Sequence, residues 1–350
     1  MLEHISEYEN LGQVCRRIFV GCQTSRDKIY ILDKTGETQD TYRGYSEALD
    51  REVEIEREMT KPLLKGDEFN KWKTTDSEHI IIYPYRISTD GNSPEANLIP
   101  LSEIRNKYPQ TAEYLEANRE ELESRDRGEW ENEEKWHRFG RRQNVDQFEE
   151  EKIMTSVLNK QSKFSLDENQ KFVFVGGGNA GGYGIKISRS EDITREYLLS
   201  ILNSRLLEWN IQKISSQFRG GYFSYGKKYI ENLPILKSDD YDHLFESLSK
   251  SLVYLTELDS SCKELVEDLE NLIDVAVYEL YFDRFDESVV PIIEKEVSKI
   301  TADDKDELRN IVEKLISDED FVSGVRRIYE DEWVKIVDEG KLREDRFKEL

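Results

Sequence analysis

The sequence has few of the residues from which disulfides, metal sites and nucleophilic centres are built. Only three of its 350 residues are cysteine and four are histidine. An odd and sparse set of cysteines does not form a disulfide framework and is typical of a reducing cytoplasm. The histidines and cysteines lack the spacing of metal ligands, and no Ser, His and Asp set stands out. We therefore predict a cytoplasmic protein with no metal centre and no catalytic residue of its own.

Proline is also scarce, and long apolar runs are absent. None of the seven prolines is adjacent to another, which excludes the Asn/Asp/Ser-Pro-Pro-Tyr/Phe motif that holds the flipped base in amino-group DNA methyltransferases. No apolar run approaches the roughly 18 residues that span a bilayer, and residues 1–7 lack the basic and apolar parts of a signal peptide. The GxxxxGK[ST] phosphate loop and an S-adenosylmethionine loop are missing as well. We expect no membrane association and no cofactor on this chain.

Charged residues are abundant, and their distribution is uneven. The chain contains 50 Lys and Arg against 74 Asp and Glu, which gives a net charge of −24 and a pI of about 4.8. Residues 155–235 contain 11 basic against 7 acidic residues, whereas residues 238–350 contain 15 against 33. Because net charge is a sum, an acidic chain can still carry a basic surface. The change in composition predicts two domains, residues 1–237 and an acidic helical region of residues 238–350.

Glycine is concentrated in one stretch that follows an apolar run. Six of the 19 glycines lie within residues 176–184, between two strand-like segments, residues 172–175 and 184–187. Three of these glycines have the spacing of a dinucleotide-binding fingerprint, but that motif needs a helix after it. Since a strand-like segment follows, we predict two strands joined by a glycine turn, and no nucleotide cofactor.

A second stretch, residues 219–228, combines glycine, aromatic rings and positive charge. This combination suits contact with a polyanion that carries flat bases, because glycine lets the backbone approach phosphates and aromatic rings stack on bases. The candidate contacts in this stretch are Arg219, Gly220, Gly221, Tyr222, Tyr225 and Lys227.

A polar loop near the N-terminus offers further candidates. Residues 13–20 and 28–32 are predicted as strands, and residues 21–27 as the loop that joins them. The candidate side chains here are Gln23, Thr24 and Lys28. They could reach a phosphate or a base edge, or they could belong to the solvated turn of an ordinary hairpin.

The segment of residues 136–144 is dense in aromatic, basic and amide side chains. Arg141, Arg142 and Gln143 are the candidates, since arginine pairs with guanine and amide side chains pair with adenine through two hydrogen bonds. The alternative is that these charges form structural salt bridges with the neighbouring glutamate-rich helices.

The remaining pattern predicts a mixed α/β (α+β) domain followed by helices. Residues 46–61 are rich in Glu and Arg, precede Pro62 and are predicted as a helix. Residues 239–282 have apolar positions that step by four and three, the pattern of a coiled coil or long helical hairpin, and residues 287–350 are predicted as a small acidic helical bundle. Further strands are predicted at residues 79–86, 152–158 and 163–166, and further helices at residues 101–108, 112–127 and 192–216.

Two other functions stay open at this point. Asp146, Glu150 and Lys152 come near the Asp and Glu-x-Lys pattern of metal-dependent nucleases. The acidic composition would also suit a DNA mimic, an antirestriction protein that binds a methyltransferase or nuclease in place of DNA. A mimic should present a continuous acidic face, whereas a DNA reader should carry its arginines and lysines on one surface.

An ordered set of short motifs resembles a known family. The motifs are EREMTKPLLKG at residues 56–66, IIYPY at 81–85, YP at 108–109, YL at 114–115, GRRQN at 140–144, GGYG at 181–184, RGGYF at 219–223 and LPI at 233–235. Their order is similar to that of the TaqI-like specificity domain, the target recognition part of adenine-N6 DNA methyltransferases and type IIG restriction-modification enzymes. The resemblance covers residues 12–235, and residues 269–281 resemble the helix that follows this domain.

This resemblance implies a domain that binds double-stranded DNA and reads a target sequence without catalysing a reaction. S-adenosylmethionine is then expected on a DNA methyltransferase domain or subunit, which would be the protein partner. The chain departs from the family pattern in its strong acidity, and we expect the acidic helical region to point away from DNA. The DNA contacts that the resemblance carries over are Gln23, Thr24, Lys28, Arg141, Arg142, Gln143, Arg219, Tyr222 and Tyr225.

Overall fold

The computed structural model describes residues 1–88, 94–128, 134–187, 193–258, 262–300, 304–339 and 346–350. In these residues most strands precede residue 187, and the chain after residue 237 is helical. The predicted architecture, an α+β domain followed by helices, is confirmed. Among the described helices, none combines the length and the apolarity that crossing a membrane requires.

The elements follow one another in four groups. The first contains α1 (Leu2–Ile5), α2 (Leu11–Val14), β1 (Arg17–Val20), α3 (Asp27–Tyr30), β2 (Ile31–Glu37), β3 (Thr41–Ser46), β4 (Arg51–Glu56) and β5 (Thr60–Leu64). The second contains β6 (Trp72–Lys73), β7 (His79–Ile82), β8 (Tyr85–Ser88), β9 (Glu95–Leu98), α4 (Leu101–Lys107), α5 (Pro109–Ala117), α6 (Arg119–Glu123) and α7 (Arg125–Gly128). The third contains β10 (Lys152–Ser156), β11 (Leu158–Asn159), β12 (Ser165–Asp167), β13 (Val173–Phe174), β14 (Gly182–Lys186), α8 (Arg195–Asn203), α9 (Arg205–Ile214), β15 (Gln217–Phe218), β16 (Tyr222–Ser224) and α10 (Lys227–Ile230). The last contains α11 (Asp242–Glu257), α12 (Lys263–Phe282), α13 (Val290–Val297), α14 (Lys305–Ile316), α15 (Glu319–Glu330) and α16 (Glu332–Asp338).

A six-stranded sheet in the order β13-β5-β7-β2-β3-β4 forms the first part of the domain. It includes the segment that we predict as a helix at residues 46–61, and that prediction is wrong. Residues 51–56 alternate between exposed polar and buried apolar side chains, with Val53 and Ile55 in the core. This period of two matches a strand with one buried face, and it outweighs the helix-favouring composition of the segment.

A five-stranded sheet, in the order β1-β14-β10-β12-β6, lies between the two hydrophobic cores. Successive side chains of one strand point to opposite faces. Ile18 and Ile153 therefore belong to the core shared with the C-terminal helices, while their neighbours Phe19 and Met154 belong to the core of the six-stranded sheet. Strand β1 is at the edge of this sheet, so one side of it is free to border a groove.

In two places, strands that follow one another in the sequence do not pair. Strand β1 belongs to the five-stranded sheet and β2 to the six-stranded sheet, so residues 21–27 are not a hairpin turn. In the same way β13 and β14 lie in different sheets, and the glycine stretch crosses between them. Both β1 and β2 also begin later than predicted, because residues 11–14 and 27–30 form the helical turns α2 and α3.

The C-terminal helices pack on α8 and α9 and share one core with one face of the five-stranded sheet. We predict a single helix at residues 192–216; its first residue, Asp192, lies outside the described residues, and the rest is divided where Ser204 caps α9. Helix α12 is buried on all sides from Asp268 onward. Trp72 donates to Glu270 of α12 at 2.7 Å. This core contains residues from both sides of residue 237, so the two predicted domains share a core. The boundary at residue 237 stays a prediction.

Candidate nucleic-acid interface

A groove of about 490 Å³ runs beside strand β1 and brings distant polar segments together. We call it the basic groove. It is lined by Arg16 and Arg17 before and at the start of β1, by Gln143 from the predicted arginine segment, and by Lys227 from the glycine-aromatic stretch. Glu231 is an acidic residue of its lining. Two candidate segments that are more than 80 residues apart in the sequence thus border one surface.

Residues 140–144, the recognition loop, are held against the N-terminal segment by backbone hydrogen bonds. The amide of Gly140 donates to the carbonyl of Thr24 at 2.9 Å, and the amide of Arg141 donates to the carbonyl of Gln23 at 3.1 Å. A Cβ on Gly140 would lie 1.9 Å from Ser25 Oγ, so only glycine fits this close approach. These bonds leave the side chains of Arg141, Arg142 and Gln143 exposed.

Thr24 and Lys28 have structural partners. The Thr24 side chain is 0% exposed, donates to Asp27 and accepts from the amide of Arg26, and so it stabilises the turn α3. Lys28 is exposed but forms an ion pair with Glu47 at 2.5 Å. Gln23 is half-buried. The structure therefore places Thr24 in the support of the recognition loop, away from any surface that could touch a ligand.

The glycine stretch connects the recognition loop to the second basic segment. The amide of Gly176 donates to the carbonyl of Cys22 at 2.6 Å, next to the Gln23 pairing. Val157 then donates to the carbonyl of Gly181 at 2.9 Å and accepts from the amide of Tyr225 at 2.8 Å. Backbone hydrogen bonds therefore link the candidate segments in a continuous series, although the segments are far apart in the sequence.

Strands β15 and β16 form a hairpin that carries the exposed part of residues 219–228. Its turn consists of Arg219, Gly220 and Gly221, and both glycines have φ of 81°. A side chain would be strained at these positive φ values, which explains why the turn needs glycine. All three residues are exposed. Tyr222 is half-buried, and the ammonium of Lys160 lies 5.0 Å from the centre of its ring.

Tyr225 is a core residue. Its side chain is 0% exposed, and its hydroxyl lies 3.1 Å from Ser162 Oγ. Burial raises the pKa of Tyr225 above its ordinary value. The expectation that this ring contacts DNA is therefore corrected: Tyr225, directly after β16, is packed in the core, whereas Lys227, at the start of α10, lines the basic groove.

The basic residues around the groove differ in what they bind. Arg16 pairs with Glu150 at 2.5 Å. Within the described ranges, however, no carboxylate forms an ion pair with five exposed cations. These five, the free cations, are Arg17, Arg141, Arg142, Arg219 and Lys227. The structural salt bridges that the sequence left open for Arg141 and Arg142 do not form there.

Sequence reasoning missed three side chains of this surface. Arg17 lines the groove, and its guanidinium donates a hydrogen bond to the Asn144 side chain. Phe218 is 42% exposed beside the hairpin turn. The Arg16-Arg17 pair before an apolar strand was a usable signal, since charge directly at a strand start tends to stay on the surface. Nothing in the sequence indicated that Phe218 would remain exposed.

The nuclease pattern is not assembled into a site. Lys152 is buried and bound to Asp167 at 2.5 Å, and burial lowers its pKa below the usual value. Glu150 is engaged by Arg16 and by Lys186, which is 3.2 Å away. Across the described part of the chain, no group of three or more His, Cys, Asp and Glu side chains is arranged to hold a metal ion.

Comparison with known proteins agrees with this geometry. The sequence model of the TaqI-like C-terminal specificity domain matches residues 61–235, half of the chain. The chain belongs to this family. The specificity-domain match includes the recognition loop, the glycine stretch and the hairpin turn, while Arg16 and Arg17 precede it and complete the basic groove. The resemblance seen in the ordered motifs is confirmed.

The chain is also similar to part of a much longer enzyme. The type II restriction enzyme and methyltransferase RM.Eco57I of Escherichia coli is 26% identical over 294 residues. The alignment covers 80% of this chain and 28% of the relative. The chain thus spans less than a third of the length of that enzyme.

Proposed function

We propose that this chain is the DNA target recognition module of a restriction-modification system, working with an adenine-N6 methyltransferase and carrying no catalytic site itself. The observation that supports this most directly is the basic groove, which is lined by the free cations Arg17 and Lys227 in a chain whose net charge is −24. Membership of the specificity-domain family supports the same function. The similarity to a combined restriction enzyme and methyltransferase supports the assignment to such a system.

The arrangement suggests a division of labour between phosphate and base contacts. Lys227 and Arg219 lie on segments where glycines expose backbone amides, and such cations and amides suit phosphate oxygens. Arg141, Arg142 and Gln143 project from a loop and suit base edges in the major groove. Each good bidentate contact would discriminate against a wrong base by about 1–3 kcal/mol.

The partner would supply the chemistry that this chain lacks. We propose that S-adenosylmethionine binds to a methyltransferase domain or subunit, and that the acidic helices α13 to α16 face away from DNA. Like charges repel, so an acidic face turned toward the phosphates would weaken binding. The DNA-mimic alternative requires a continuous acidic face across the groove, and the free cations argue against it.

The test is selection of duplexes by the chain together with its methyltransferase module. We expect enrichment of one short sequence and an affinity that falls as salt rises, because bound cations displace counterions from the phosphates. Arg309→Ala, a change of an exposed arginine in α14, is the control and should leave binding unchanged. Absent or salt-independent binding would reject the proposal, and Mg²⁺-dependent cleavage by the purified chain would reject its non-catalytic part.

A further inference from the structure

Arg16 and Arg17 are adjacent in the sequence and line the same groove, yet their guanidinium groups have opposite environments. The Arg16 guanidinium is paired with the Glu150 carboxylate at 2.5 Å, and Glu150 also pairs with Lys186. The Arg17 guanidinium instead donates one hydrogen bond, from Nη2 to Asn144 Oδ1 at 2.9 Å. An amide oxygen is neutral, so this bond orients the Arg17 guanidinium without cancelling its charge.

The Asn144 side chain is held in place by contacts other than the one with Arg17. Its Nδ2 donates to the carbonyl of Val20 at 2.8 Å, and the side chain is buried. Its backbone has φ 60° and ψ 11°, the left-handed conformation that asparagine adopts more readily than most residues. Asn144 therefore joins the recognition loop to both ends of strand β1, at Arg17 and at Val20.

Arg17 is anchored at its backbone as well. It is opposite Lys186 in the antiparallel pairing of β1 with β14. Only one of the five N–H donors of a guanidinium is used by Asn144, and Arg17 remains exposed in the lining of the groove. A cation held in one orientation loses less conformational freedom on binding than a mobile one. Such a group suits a ligand that presents two acceptors in a plane.

We propose that Arg17 is a specificity-determining residue that reads the O6 and N7 acceptors of a guanine, and that Asn144 is the residue that positions it. This inference rests on the proposed DNA-reading function. Guanine is the base whose major-groove edge presents two adjacent acceptors to an arginine fork. Gln143 and Lys227 border the same groove and would bind the neighbouring base or phosphate.

The experiment measures binding of the full chain, with its methyltransferase module, to the selected duplex and to every single-base-pair variant of it. Arg17→Lys keeps the charge and removes the fork. We expect it to weaken binding to the selected duplex about 5- to 150-fold, with discrimination lost at one G·C pair and the salt dependence unchanged. Replacing that guanine with 7-deazaguanine, which lacks N7, should weaken the wild type and have no effect on the Arg17→Lys variant.

The role of Asn144 is tested by Asn144→Gly, which keeps the left-handed backbone and removes both side-chain bonds. We expect it to reduce discrimination at the same base pair, and the double variant with Arg17→Lys to be no worse than Arg17→Lys alone. A merely structural role of Asn144 would instead add its effect to that of Arg17→Lys. Thermal unfolding of each variant checks that the fold is kept.

Three outcomes separate the two proposals. If Arg17→Lys and Arg17→Ala both keep full discrimination at every base pair, Arg17 does not read a base. If Arg17→Ala weakens all duplexes equally and lowers the salt dependence, Arg17 contacts phosphate and the inference is wrong while the proposed function stands. If the wild type selects no sequence, both proposals fail together.

Discussion

The free cations and the arginines of the C-terminal helices differ in their partners. In the helical region Arg284, Arg309 and Arg327 each pair with a carboxylate, of Asp331, Asp306 and Glu287 respectively. The free cations, of which Arg17 and Lys227 line the groove, have no such partner within the described residues. Because unpaired cations keep their full field, a chain of net charge −24 can still present a DNA-binding surface. The local pairing of charges decides this, and the total charge does not.

The largest expected effect comes from removing four of the five free cations together. Four alanine substitutions should weaken duplex binding about 1000-fold or more, since a charged hydrogen bond contributes roughly 1.5–3 kcal/mol. The slope of log affinity against log salt should also fall by about 1.8, because two of the four cations, Arg219 and Lys227, are assigned to phosphates. The four substitutions are Arg141→Ala, Arg142→Ala, Arg219→Ala and Lys227→Ala.

A matched set of four paired cations in the helical region is the control, measured by fluorescence anisotropy at several salt concentrations. It should change neither affinity nor slope, because those side chains are already neutralised by neighbours. Equal losses in the two sets would abolish the distinction between the regions. The control substitutions are Lys250→Ala, Lys263→Ala, Arg309→Ala and Lys314→Ala.

A smaller effect is expected from displacing the recognition loop without changing any charge. Gly140→Ala places a Cβ 1.9 Å from Ser25 Oγ and 2.3 Å from Ser25 Cβ. Such overpacking costs about 1–3 kcal/mol, and the moved loop should lower DNA affinity about 10- to 100-fold. Both are measured on the same preparation, by thermal unfolding and by duplex binding.

The clash in that variant can be relieved by a second substitution. Ser25 has φ of 62°, a conformation that glycine adopts easily. Ser25→Gly combined with Gly140→Ala should therefore recover most of the affinity. Persistent loss in the double variant would show that the loop depends on something other than the Gly140–Ser25 approach.

The smallest effect is expected inside the core. Tyr225→Phe removes the hydroxyl that lies 3.1 Å from Ser162 Oγ and should lower the free energy of unfolding by about 1 kcal/mol. DNA affinity should stay as in the wild type, because the ring is buried. Urea unfolding and duplex binding measure the two quantities. A variant with normal stability and weakened DNA binding would return Tyr225 to the list of contacts.

Sequence reasoning succeeded where a local pattern decides the structure. Of the strand predicted at residues 79–86, residues 79–82 form β7, where three consecutive isoleucines are buried in the sheet, while Tyr85 begins β8 of another sheet. It failed at residues 46–61, where the composition favours a helix and the alternation of Val53 and Ile55 favours a strand. Burial of that alternating face against the sheet outweighs local propensity.

Only part of the candidate site could be predicted from the sequence. Residue type identified Arg141, Arg142, Arg219 and Lys227, and the structure leaves all four exposed. Whether they touch DNA stays a prediction. Residue type also selected Thr24 and Tyr225, whose side chains are buried. The direction of a side chain depends on the sheet or loop that carries it, so residue type alone could not separate the two groups.

The sequence by itself determined the family, the α+β architecture before the helices and the segments rich in glycine and arginine, since these depend on residue order and local pattern. The tertiary structure alone decided that these segments meet along β1, because sheet pairing joins residues far apart in the chain. It also decided which cations are free. Arg16 and Arg17 are neighbours in the sequence, yet folding brings the Glu150 carboxylate to Arg16 and the neutral Asn144 amide to Arg17.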